Sequence, residues 1–167
     1  MRKVTFDQVL NEYKEVLPKG VFLTTKDDQE INTMTVGWGT TGFIWNQDIL
    51  MVPVRKSRHT HQLIENSKYF TVSVPLNGQL KKELQFCGTK SGRDYNKIKE
   101  LNLELAEVKE CNVPIIKGND LHFICKIKYQ QDMLEENLDK AVSEKNYSNQ
   151  DMHTFYYGEV VAVYKEE

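Results

Sequence analysis

The densest set of anion-binding side chains is the run Arg55-Lys56-Ser57-Arg58-His59-Thr60-His61. It follows an apolar segment, Ile49-Leu50-Met51-Val52-Pro53-Val54, and precedes a short helical pattern over 60–66. Guanidinium groups make paired, charge-assisted bonds to phosphate oxygens. Hydroxyls and the free N–H groups of a helix start add donors and a favourable dipole. Arg55, Ser57, Arg58 and Thr60 therefore read as a phosphate cradle. They read equally as a solvated basic loop with Ser57 or Thr60 capping the helix.

Two glycine-containing runs have related chemistry. Asn32-Thr33-Met34-Thr35-Val36-Gly37-Trp38-Gly39-Thr40-Thr41-Gly42 places amides, hydroxyls and a Trp beside glycines that permit close backbone approach. A flat polar ring fits against such a strand end, and so does a plain glycine-rich turn. Gly37 and Gly39 do not form a dinucleotide fingerprint, because no GxGxxG opens a helix there. Cys87-Gly88-Thr89-Lys90-Ser91-Gly92-Arg93-Asp94-Tyr95-Asn96-Lys97 again mixes glycines, hydroxyls and cations next to a helix start, with Ser91 or Asp94 as its cap. Cys87 is either a thiol activated by the neighbouring cations or an inert core filler.

The remaining candidates are sparse. His59, His61, His122 and His153 form no HExxH-type pattern. His122 is offset by one from the apolar face of its strand, which puts it toward solvent. His153, just before Phe155-Tyr156-Tyr157, is either a ligand contact or an ordinary residue at a strand start. No Ser/His/Asp set and no paired carboxylates in an apolar setting support hydrolysis. The three cysteines lack a CxxC pair, so no metal site is expected.

The elements that must position these groups are mostly strands. Residues 5–17 read as an amphipathic helix, with Phe6, Val9, Leu10, Tyr13, Val16 and Leu17 on one side and a Thr5/Gln8 capping box. Strands are expected at 21–25, 32–38, 49–54, 69–74, 121–129 and 155–164, with Gly158 as a bulge. Pro53 suggests an edge or a strand end. Short helices fit at 60–66, 78–86 and 94–101. Residues 132–151 are a polar excursion with a helical turn or two. Strands with interleaved short helices and no βαβ rhythm argue for a closed β-barrel, with an open α+β sheet as the alternative.

The 167 residues suit a single domain spanning 1–167 with a full core. A net charge of −2 disfavours nucleic acid as a partner. No apolar run approaches the roughly 20 residues that span a bilayer, so no membrane association is expected. The amphipathic start without a signal-peptide core and the unpaired cysteines lead to the expectation of a reducing, cytoplasmic setting.

Several segments taken in order resemble one family. Gly20–Thr25, Asn32–Trp38, Val54–Thr60, Phe70–Pro75, Cys87–Asp94 and His153–Val160 are similar to the flavin reductase-like, FMN-binding split-barrel proteins of the flavoredoxin group. The resemblance implies a mainly β fold, a six-stranded Greek-key split barrel with peripheral short helices. It also implies a homodimer with FMN near the subunit interface. By the same resemblance Asn32, Thr33, Met34, Thr35, Trp38, Gly39 and Thr40 line the flavin, and Arg55, Ser57, Arg58 and Thr60 hold its phosphate. Cys87, Gly88, Ser91, Gly92 and Asp94, with Arg93 among them, close over it from the other side. His153 is added as a further contact. The chain departs from many relatives at Lys56, where they have Pro, and at His59, where they have Tyr. Lys56 would add a charge near the phosphate.

The implied activity is an NAD(P)H-dependent flavin reductase, with NADH or NADPH as a transient donor and a small molecule or protein as the second acceptor. The alternatives are an FMN electron-transfer protein with little direct NAD(P)H activity, and a split barrel holding another ligand. No catalytic side chain is expected, because the redox chemistry belongs to the cofactor. Backbone N–H groups from Gly37 to Thr41 would stabilise negative charge on the ring.

Overall fold

The structure, a computed structural model, describes residues 1–166. Its elements run β1 (Arg2–Val4), α1 (Leu10–Val16), β2 (Val21–Lys26), β3 (Ile31–Val36), β4 (Thr40–Ile44), β5 (Gln47–Arg55), α2 (His59–Ile64), β6 (Tyr69–Val74), α3 (Lys81–Thr89), α4 (Lys97–Glu100), β7 (Leu105–Val108), β8 (Cys111–Ile116), β9 (Leu121–Asp132), α5 (Lys140–Asn146) and β10 (His153–Lys165). Short 3-10 turns flank α1 and precede α5.

One eight-stranded antiparallel sheet is ordered β3-β2-β6-β9-β10-β5-β4, with β1 added to β10. The six strands from β3 round to β5 curl about a core of Leu23, Met34, Val52, Phe70, Phe123 and Tyr156. β3 and β5 approach one another without a hydrogen-bonded ladder, so the barrel is split. α1 covers one end. Tyr13 and Phe6 set their rings edge-on to Phe123, 5.0 and 5.9 Å between centroids. Only one arm of the expected capping box forms there, Thr5 N–H donating to Gln8 Oε1 at 3.0 Å.

Gly158 has the role its position suggested. The β10 register shifts between Tyr157 and Gly158. A Cβ on Gly158 would stand 2.7 Å from Cys125 Cβ and from the Phe70 ring, so the bulge brings backbone directly onto the core. Pro53 lies past the end of β4, which pairs β5 only from Gln47 to Met51.

Four strands, β1, β4, β7 and β8, differ from the sequence reading. β4 stands where a glycine-rich turn was expected, joined to β5 by Trp45 and Asn46, both at φ 56°. Two successive left-handed residues make the two-residue turn that matches strand twist. β7 and β8 form a ribbon in a stretch where no strands were expected. That ribbon lies on the outer face of the barrel, Ile115 on Ile124 and Ile116 on Phe22. It therefore buries His122 completely instead of leaving it to solvent. Ser73 Oγ meets His122 Nδ1 at 3.0 Å and accepts the Ile116 N–H at 3.1 Å. Burial pushes the His122 pKa down to about 4.

Candidate functional site

At the open side of the split, the C-terminal half of β3, the β5–α2 loop and the α3–α4 loop meet. Two adjoining cavities lie there and share Met34, Ser57 and Arg58.

The smaller, about 150 Å³, is walled by Arg58, Lys90, Arg93 and Lys97, by the hydroxyl residues Ser57, Thr60, Thr89 and Ser91, and by Met34, His59 and Gly92. Among the described residues no carboxylate lines it. Local packing explains how these groups converge. Asn32 Nδ2 donates to Thr60 Oγ1 at 2.8 Å, tying β3 to α2. Arg58 Nη2 donates to Gly88 O at 2.8 Å, and Arg93 Nη1 to Ser57 O at 2.8 Å, stitching the two loops together. A Cβ on Gly92 would come within 2.5 Å of Asn32 Oδ1 and 2.6 Å of His59 Cδ2, so only glycine lets the second loop close this tightly.

Lys97 is the least exposed of these cations, at 3%. Its Nζ donates to Thr33 O and Cys87 O, both at 3.0 Å. Its pKa falls to about 8, through burial first and then the nearby Arg58, with Cys87 opposing. Burial also lowers Arg58 from its ordinary value, with Asp151 as the main opposing influence. A buried lysine and a half-buried arginine, neither in a salt bridge among the described residues, suit a small anion in a pocket this size.

The larger cavity, about 410 Å³, is walled by Met34, Thr35, Val36, Gly37, Trp38, Pro53, Arg55, Ser57, Arg58, Gly88, Asp151 and His153. Trp38 is 48% exposed, with its ring 5.6 Å from that of His153. His153 is held by Tyr147, whose hydroxyl meets Nδ1 at 2.8 Å. Burial, then Arg55, pushes the His153 pKa down to about 4, so the ring is neutral at pH 7. A slot flanked by Trp, Met, Pro and neutral imidazole suits a flat heterocycle.

The two cavities thus bring together Met34, Thr35, Trp38, Arg55, Ser57, Arg58, Thr60, Gly88, Ser91, Gly92 and His153 from the sequence-derived set. Other members lie elsewhere. Thr33 faces away, its Oγ1 3.2 Å from Thr24 Oγ1. Asn32 supports Thr60 and lines a separate hollow with Asp94. Asp94 does not cap α4; Asn96 does, accepting the Lys99 N–H. Gly39 packs on the Met51 carbonyl, where a Cβ would sit 2.7 Å away, and Thr40 is exposed at the start of β4. Of the Gly37–Thr41 backbone, only Gly37 and Trp38 reach the cavity. Cys87 is fully buried against Phe22 and Leu84, and burial pushes its thiol up to about 11, so it is packing and not a nucleophile.

Two cations of the first run are also spent differently. Arg55 donates to Asp151 O at 2.6 Å and Asn146 O at 3.1 Å and lies over the Tyr147 ring. Lys56 pairs with Asp132 at 2.5 Å and lines neither cavity. Asp151 and Tyr147 went unrecognised in the sequence, and Lys97 was read only as one of several cations near a helix start. Lys97 sits one residue past Asn96 in a polar helix start, and nothing in its neighbours signals burial.

The family model for the flavin reductase like domain matches residues 15–167. An uncharacterised protein of Archaeoglobus fulgidus is 32% identical over 120 residues, 72% of this chain and 67% of that protein. Among solved structures, the flavoredoxin of Methanosarcina acetivorans superposes with a TM-score of 0.70 at 24% identity, covering 89% of this chain and 68% of that one. The FMN-binding domain of a flavin reductases-like enzyme from Shewanella baltica gives 0.69 at 20% identity, covering 98% and 76%.

Proposed function

The chain belongs to the flavin reductase like domain family, and from that premise we propose that it binds FMN as an oxidoreductase, reducing it at the expense of NADH or NADPH. The observation that carries the reading is the pairing of cavities: a carboxylate-free, cation-lined pocket of about 150 Å³ opening into a slot of about 410 Å³ flanked by Trp38 and His153. One terminal phosphate joined to one flat ring system matches that pair. Flavin, when bound, supplies two-electron chemistry between a nicotinamide and a second acceptor.

The chain's own residues bind and orient. Arg58 and Lys97 supply charge to the phosphate, and Thr60 and Ser91 supply hydroxyl donors, the Ser57 hydroxyl being held by Asp151. Met34, Trp38, Pro53 and His153 flank the ring. His153, neutral at pH 7, places no formal charge beside it. The Gly37 and Trp38 backbone, just past the end of β3, is available to meet the ring edge. No side chain here serves as an acid or base.

A homodimer fits the exposed β4–β5 hairpin. Phe43 is 70% exposed, and Trp45 sets its ring against Tyr129 and Tyr157, 6.1 and 6.4 Å between centroids. This is an apolar surface suited to a second copy.

Stopped-flow mixing of the FMN-loaded protein with NADH or NADPH tests the activity. Bleaching of the flavin band by either supports a reductase. A flavin that stays oxidised with both, yet is reduced by dithionite, replaces that reading with an electron-transfer protein.

A further inference from the structure

We propose that Asp151 is a specificity-determining residue: its carboxylate is a built-in anion held on Ser57 beside the cradle, and it weakens binding of a phosphate-bearing ligand relative to the same ligand without phosphate. This rests on the flavin reading above and concerns the arm between β9 and β10, which that reading leaves without a role.

Asp151 is placed, not loose. Its Oδ2 accepts the Ser57 hydroxyl at 2.6 Å and its Oδ1 accepts the Ser57 N–H at 3.2 Å. Its own N–H donates to Asn149 Oδ1 at 3.2 Å. Its carbonyl takes one Arg55 donor while Asn146 O takes another. The Lys56 N–H donates to Met152 O at 3.1 Å. At the arm's other end, Asp132 accepts from both Lys56 and Thr154. The arm is thus strapped at both ends to the loop that carries Ser57 and Arg58.

The consequence is electrostatic. Asp151 is the only acidic residue among the described residues lining the larger cavity, and no acidic residue lines the smaller one. It consumes both donors of Ser57, a residue shared by the two cavities, and it acts directly on Arg58. A phosphate entering beside Arg58 meets donors already occupied by a carboxylate and a charge of its own sign. Repulsion between two like charges at such a partly buried site corresponds to about tenfold in affinity. Riboflavin shares the ring and lacks the phosphate, so it brings no negative charge for the carboxylate to repel.

The test is to titrate FMN and riboflavin by flavin fluorescence into the wild type, Asp151→Asn and Asp151→Ser. The proposal expects FMN to bind about tenfold more tightly to both variants, with riboflavin unchanged within about twofold and the gain shrinking as salt rises. Retained riboflavin binding also reports that the variants are folded. Equal changes for both flavins, or weaker FMN binding, overturn it and make Asp151 an architectural latch. A wild type that binds neither flavin overturns the flavin reading and this proposal together. FMN binding that Arg58→Ala weakens selectively, but that Asp151→Asn leaves untouched, overturns this proposal alone.

Discussion

Arg58→Ala separates the phosphate cradle from the ring slot in one substitution. The side chain lines both cavities, is partly buried and donates to Gly88 O at 2.8 Å. Removing it deletes a charge-assisted bond to phosphate, about 1.5–3 kcal/mol or roughly 10–150-fold in affinity. The neighbouring Lys97 keeps the loss from being total. The same substitution frees the Gly88 carbonyl, costing about 1 kcal/mol of fold stability, which a urea unfolding midpoint measures separately. The assay is paired equilibrium titration with FMN and riboflavin at fixed ionic strength. FMN affinity falls by that factor and riboflavin affinity stays within about twofold. Parallel losses for the two flavins would show that Arg58 shapes the slot as a whole, and the assignment of the small cavity to phosphate would be wrong.

Three further outcomes follow from the geometry. Gly158→Ala inserts a methyl 2.7 Å from Cys125 Cβ and Phe70 and should destabilise by about 1–3 kcal/mol; an unchanged denaturation midpoint refutes the packing described for the bulge. His122 has a folded pKa of about 4 against 6.5 for the free side chain. Between those values the unfolded chain binds the proton and the folded chain does not, so stability is full above pH 6.5 and falls by about 3 kcal/mol as pH drops toward 4. Burial, the main cause of the lowered value, leaves the imidazolium poorly solvated. The loss should be smaller in His122→Gln, and identical pH dependences for the two proteins would count against it. Trp38, at 48% exposure beside the slot, should be quenched by FMN, whereas Trp38→Ala should cost well under the 3–5 kcal/mol of a core tryptophan; a large stability loss without any change in flavin binding contradicts its placement at the site.

Periodicity carried most of the barrel. The strands at 69–74 and 121–129, the α1 face and the Gly158 bulge were legible because alternation and a lone glycine in an apolar run are local signals. β4 was hidden because every residue of it is exposed, so it has no buried face to alternate. β7 and β8 are short, carry Pro114 and lie outside the barrel, where their pairing depends on Ile115 and Ile116 finding Ile124 and Phe22. Missing that cover also misplaced His122. The site was legible as residue types in order along the chain: Arg58, Ser57, Thr60, Ser91 and Gly92 do converge. What local pattern does not reveal is which members turn away. Cys87 and Thr33 sit on the buried faces of their elements, and Lys56 and Arg55 are claimed by Asp132 at the end of β9 and by the Asn146 and Asp151 carbonyls, 76 to 96 residues further along.

The most direct test is the visible absorption spectrum of the purified protein after incubation with FMN and desalting, alongside an identical sample incubated with riboflavin. A flavin band retained stoichiometrically with FMN, and lost or much reduced with riboflavin, is the predicted result. A colourless protein after FMN, or equal retention of the two flavins, would contradict a site built around a phosphate pocket.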